Sequence, residues 1–175
     1  MALIKLAKDG YGQLELNFAA FRRNGAIEAQ CKIADGIDYI ENGMLLAVNR
    51  KNRTVGYPTG AADEVIALNY TTEHMYDERL AHGLKHFKLD KDTFCPRLGY
   101  LATGDKFTTN CVAIASATGE KATVEEVKAA LAGNAYGKVE NGVITLTNEA
   151  EGAIVKVVCA TTMPDGQFAV KFIAL

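Results

Sequence analysis

Long apolar runs are missing from this chain: no stretch approaches the ~20 apolar residues that a membrane-crossing helix requires. A basic surplus is missing as well. Lys plus Arg number 19 against 21 for Asp plus Glu, a net charge of -2, whereas a protein that works on a phosphate backbone normally carries the opposite balance. The expected protein is therefore no membrane protein and no dominant nucleic-acid binder. Its four cysteines, Cys31, Cys95, Cys111 and Cys159, contain no C-x-x-C pair. Scattered in this way they read as small free hydrophobes rather than a disulfide framework. Lys5, Lys8 and Asp9 interrupt the apolar opening, so no secretory signal is read there, and the expected place of synthesis is a reducing cytoplasm. Internal repeats and low-complexity tracts are absent too.

What remains is an ordinary globular composition. The 175 residues are 49% hydrophobic and 23% charged, which argues against a wholly disordered chain. A chain of this length buries about 70% of its unfolded surface without needing a staple. Asn24-Gly25, Asn42-Gly43 and Asn141-Gly142 each sit between apolar runs, and Asp165-Gly166 follows Pro164. Asn and Gly tolerate the positive φ of tight hairpins, so these positions read as strand reversals. The first is expected to join 13–21 to 26–33, where Leu14, Leu16 and Phe18 alternate with Gln13, Glu15 and Asn17 at the period of a half-buried strand. The second is expected to join 38–40 to 44–49. Asn49 through Arg53 then form a polar, basic turn before a strand over 54–57.

Further along, 65–70 and 107–115 read as strands and 76–87 as a short helix weakened by Gly83. Thr123-Val124-Glu125-Glu126 is a capping box, with Val124, Val127, Ala130 and Leu131 on one face and Gly133 as a stop. Strands follow over 136–140, 143–147, 153–161 and 167–175. The expected class is α+β, mainly antiparallel β, built of β-hairpins with a short helix near 123–132 packed on a sheet. Residues 1–104 read as a β-rich region with an irregular middle and 105–175 as an α+β region with the capped helix; a single domain is the alternative.

The chemical motifs fail one after another. Gly99 through Lys106 approaches a phosphate-binding P-loop, but Asp105 stands between the second Gly and the Lys, and Phe107-Thr108-Thr109 reads as strand where that motif needs a helix. His82 and His86 would share a helix face, with Glu78 one turn earlier, yet Gly83 follows His82 where the zinc-peptidase pattern needs Glu. Ser116, the one serine, lies in Ala-Ser-Ala without a nucleophile elbow. Cys95 has only Arg97 as a basic neighbour, too little to stabilise a thiolate. Adjacent carboxylates such as Asp63/Glu64 do not face one another if helical. No enzyme is expected, and no catalytic, metal or cofactor residue is assigned. Two groups suit an interface: the basic cluster Arg50, Lys51 and Arg53, and the aromatics Tyr70, Tyr76, Phe87, Phe94 and Tyr100, either as interface anchors or as a satellite core.

The segments 41–48 (Glu-Asn-Gly-Met-Leu-Leu-Ala-Val), 65–74 (Val-Ile-Ala-Leu-Asn-Tyr-Thr-Thr-Glu-His) and 96–110 (Pro-Arg-Leu-Gly-Tyr through Thr-Thr-Asn) resemble small structural proteins of tailed bacteriophages, of the head accessory or capsid decoration type. The likeness spans about residues 1–110. It implies a virion protein, made in the host bacterial cytoplasm, that binds the major capsid protein lattice or other virion proteins and acts as a homo-oligomer on the particle. A tail or connector component is one alternative. A small enzyme with its site around His74, His82 and His86 is another.

Overall fold

The chain folds mostly into β-sheet because short alternating runs are punctuated by residues that accept positive φ. A computed structural model describes residues 2–6, 11–61, 63–71, 88–92, 95–117, 119, 122–163 and 166–175. The expected helix over 76–87 lies outside them. The first half contains β1 (Ala2–Lys5), β2 (Leu14–Phe18), the single-turn α1 (Phe21–Asn24), β3 (Ile27–Glu28), β4 (Lys32–Ile33) and β5 (Tyr39–Glu41). It continues with β6 (Leu45–Asn49), β7 (Thr54–Gly56), β8 (Val65–Asn69), β9 (Lys88–Asp90) and β10 (Leu98–Gly99). After these come β11 (Lys106–Thr109), β12 (Val112–Ser116), α2 (Val124–Gly133), β13 (Tyr136–Glu140), β14 (Val143–Thr147), β15 (Val155–Thr162) and β16 (Phe168–Ala174).

The strands form an eight-stranded sheet in the order β1-β12-β14-β13-β15-β16-β11-β2, a six-stranded sheet in the order β3-β10-β8-β6-β7-β4, and the pair β5-β9. Pairings are antiparallel except β12–β14 and β4–β7, which are parallel, so the β-rich expectation holds and the larger sheets are mixed. In the eight-stranded sheet β11 and β12 stand five places apart, yet only Asn110 and Cys111 join them. Five strand spacings would separate them by about 24 Å in a flat sheet, and three residues reach only about 11 Å. The sheet therefore wraps round on itself.

One turn reading holds, two need correction, and the fourth, at Asp165-Gly166, falls partly outside the described residues. At Asn141-Gly142, with φ of 50° and 78°, Glu140 pairs with Val143, a two-residue hairpin with positive φ at both central positions. β15 and β16 pair antiparallel, and Asp165 between them lies outside the described residues. Asn24-Gly25 is not a hairpin. Gly25, at φ 72°, ends α1 by donating its N–H to the Phe21 carbonyl, while β2 pairs with β11 and β3 with β10 in the other sheet. Gly43, at φ 85°, also turns the chain between sheets: β5 pairs with β9, and β6 with β7 and β8. Positive φ serves a helix C-cap or a crossover as well as a hairpin. The strand expected over 107–115 is broken at Asn110–Cys111 into β11 and β12. A register shift between Lys106 and Phe107 leaves Asn17 as an extra residue in β2, which flips Phe18 to solvent at 50% exposure.

Two apolar clusters form the interior. One gathers Leu14, Phe21, Leu45, Leu68, Phe107, Ile144, Val155, Val170 and Phe172; Phe107 and Phe172 lie with centroids 5.8 Å apart. The other gathers Ile33, Ile40, Leu46, Val55, Leu89 and Leu98. The capping box is present as expected. The Thr123 hydroxyl accepts from Glu126 N, and the Glu126 carboxylate accepts from Thr123 N. The helix ends at Gly133, where the Asn134 side chain donates to the Ala130 carbonyl at 2.9 Å. Val127 is its buried residue and belongs to the first cluster.

Candidate docking face

The basic turn is a hairpin loop between β6 and β7, closed by the Asn49–Thr54 pair. The Asn49 side chain accepts from Asn52 N at 3.0 Å, and Arg53 takes the left-handed φ of 53° that closes the loop. Arg50, Lys51 and Arg53 are all exposed. The Arg50 guanidinium lies 5.0 Å above the Tyr100 ring and 3.9 Å from Glu28, so one cation of the loop is held by an aromatic face as well as by a carboxylate. The Arg53 carbonyl accepts from Lys32 N at 2.9 Å, tying the loop base to β4.

Beside the loop runs an open groove of about 510 Å³ whose lining includes Val48, Arg50, Tyr57, Asp63, Glu64 and Val65. Its lining mixes apolar side chains, Val48, Tyr57 and Val65, with charges of both signs, Arg50, Asp63 and Glu64. Glu64 accepts from Thr59 N and Oγ1 and from Gly60 N. Burial works against its charge, but these donors outweigh it and hold the carboxyl below the usual carboxylate range.

Only part of the aromatic group assembles here. Tyr100 lies half-buried beneath Arg50. Tyr70 is 2% exposed and packs 4.9 Å from Phe21, so it is a core residue and offers no surface ring. Tyr76, Phe87 and Phe94 lie outside the described residues, as do His74, His82 and His86. Among the described residues no three His, Cys, Asp or Glu side chains gather into a metal-binding group, and no helix is long and apolar enough to cross a membrane. The P-loop-like segment is a turn into a strand. Asp105, 1% exposed, accepts from Ala20 N and Ala102 N at 2.8 and 3.0 Å, and β11 follows directly.

Sequence reasoning missed the groove and a buried polar node. Glu41, fully buried, pairs through Oε2 with Lys5 of β1, and Asn69 donates to the Glu41 carbonyl at 2.8 Å. The Cys111 thiol donates to the Asn42 carbonyl at 3.2 Å, and burial pushes that thiol up to about 12, so it is neutral and unreactive. Asn110 accepts from Gln13 N at 2.6 Å. These groups come from five separate stretches of the chain, and the one local signal among them, Asn42-Gly43, reads only as a turn.

Comparison with protein-family models, curated proteins and solved structures finds no match to this chain.

Proposed function

We propose that this chain is a bacteriophage virion structural protein, a capsid decoration or cement subunit that docks on the major capsid protein lattice. The observation that carries the reading is the Arg50–Arg53 hairpin, whose Arg50 is held by Tyr100 and Glu28 and lines a groove of mixed polar and apolar character. An Arg stacked on Tyr beside a groove that mixes apolar and charged side chains is a composition that docking surfaces favour. The likeness of 41–110 to phage head proteins points the same way. In this reading Arg50 meets an acidic side chain of the capsid protein, and the groove takes an adjoining apolar segment. The α2 helix is a brace laid on the first sheet, with Val127 in the core and Glu126 tied to Ser116.

The test is binding of purified protein to mature and expanded capsids. Saturable binding at a stoichiometry set by the lattice is expected. Replacing Arg50, Lys51 and Arg53 together by Ala should weaken binding at least tenfold and leave the melting temperature within a few degrees. No binding to either capsid form, or equal binding by the triple variant, refutes this surface.

A further inference from the structure

β15 is a strand with half of one edge left open. Along its whole length it pairs with β16, from Val155–Ala174 to Thr162–Phe168. On its other edge β13 meets only Val155 and Lys156, with one more bond from Val157 N to the Ala135 carbonyl. Beyond Val157 no strand among the described residues pairs with that edge. The register shift between Val157 and Cys159 falls where β13 leaves, as bulges commonly terminate a pairing. α2 approaches β15, yet all five residues 158–162 are exposed, Val158 at 50%.

This open segment is held at both ends. Val155 is fully buried before it, and Met163 and Gln167 are 5% and 2% exposed after it. Met163 N donates to the Gln167 carbonyl, and Gly166 N donates to the Met163 carbonyl. The neighbouring stretch of β16, Ala169 and Val170, is fully buried. The strand is therefore preorganised, and its outward N–H and C=O groups form a template for another strand. Natural edges are usually guarded by charge, above all Lys. Here no charged residue occurs between Lys156 and Asp165.

We propose that residues 158–162 pair antiparallel with the same residues of a second copy of this chain, about a twofold axis through Ala160. The uncharged strand argues for this occupant. A charged partner strand would find nothing complementary on it, whereas two copies bring no like charges together: Val158 faces Thr162, Cys159 faces Thr161, and Ala160 faces itself. A five-residue pairing buries less than the ~1,200 Å² of a stable interface. The dimer is therefore weak in solution and gains strength where a surface holds many copies. Its use on a shell rests on the decoration reading; the pairing itself does not.

The twofold sets Ala160 opposite Ala160 with Cα atoms about 5 Å apart, within the span of a disulfide. In the full chain carrying Cys95→Ser and Cys159→Ser, Ala160→Cys should form a covalent dimer on mild oxidation at least tenfold faster than Val124→Cys, an exposed control on α2, away from any strand edge. In sedimentation across a concentration series the parent chain should show a monomer–dimer equilibrium. Ala160→Lys, which sets two ammonium groups face to face, should raise its dissociation constant at least tenfold. Circular dichroism verifies that each variant is folded. Cross-linking of Ala160→Cys no faster than the control, or a parent that stays monomeric at every concentration, overturns the proposal. A chain that dimerises in this way but binds no capsid sinks the decoration reading alone.

Discussion

Replacing Lys5 by Met removes the cation from a carboxylate that has no water to turn to. Glu41 is fully buried, its Oε2 is paired with Lys5, and its Oε1 has no hydrogen-bond partner among the described residues. Burial already pushes this carboxyl above its ordinary value of 4.5, and the Lys5 charge pulls it back. Without Lys5 the carboxylate must either stay charged in an apolar site, which costs several kcal/mol, or take up a proton. Protonating an ordinary carboxyl at pH 7 costs about 3.4 kcal/mol, at about 1.4 kcal/mol per pH unit. That sets the ceiling, so the expected loss at pH 7 is about 2 to 3.4 kcal/mol. The variant's Glu41 titrates above its unfolded value. Its stability is therefore greatest below pH 4.5 and lost as pH rises through the folded pKa, and the deficit shrinks to about 0.7 kcal/mol or less at pH 5. The chain has no Trp, so urea unfolding followed by far-UV circular dichroism between pH 5 and 8 is the assay. The double variant Lys5→Met with Glu41→Leu should recover most of the loss, since an apolar pair replaces a buried ionic one at little cost. A loss under about 1 kcal/mol at pH 7, or a loss equal at pH 5 and pH 7, would show that Glu41 is solvated and refute the reasoning.

Four further outcomes are expected. Thr123→Ala should lower stability by about 1 kcal/mol through loss of the N-cap, measured by the same unfolding assay. Glu126 accepts from Thr123 N, Ala117 N and the Ser116 hydroxyl, which hold its carboxyl at about 2; its contribution is full above pH 4.5, so the gap between the parent and Glu126→Gln should close as pH falls from 5 towards 2.5. Gly43→Ala should cost more than the roughly 1–2 kcal/mol of a left-handed non-Gly residue, because φ is 85° and the added Cβ would run into the Thr109 side chain; a neutral melt would contradict this. The cysteines are free, with Cys95 and Cys159 exposed and Cys31 and Cys111 buried, so alkylation followed by mass spectrometry should modify two thiols in the folded protein and four after unfolding.

Local chemistry alone determined a good part of this molecule. The capping box at Thr123, the hairpin at Asn141-Gly142 and the basic loop at Arg50–Arg53 are each specified within about six residues, where donor, acceptor and φ preference act on neighbours. The broad β character follows equally from alternation. Pairing was beyond that range. A period of two says which side of a strand is buried and nothing about which strand lies beside it, so β1 and β2 could not be read as part of the sheet that holds β11 to β16. An Asn-Gly pair accepts positive φ whether the chain then folds back, ends a helical turn or crosses to another sheet. Tyr70 and Tyr100 are the same residue type in similar surroundings along the chain. Only packing put one against Phe21 in the interior and the other under Arg50 at the surface. Lys5 and Glu41 are 36 positions apart and carry no mutual signal, because the energy that joins them exists only once two sheets have closed over both and removed the water between them.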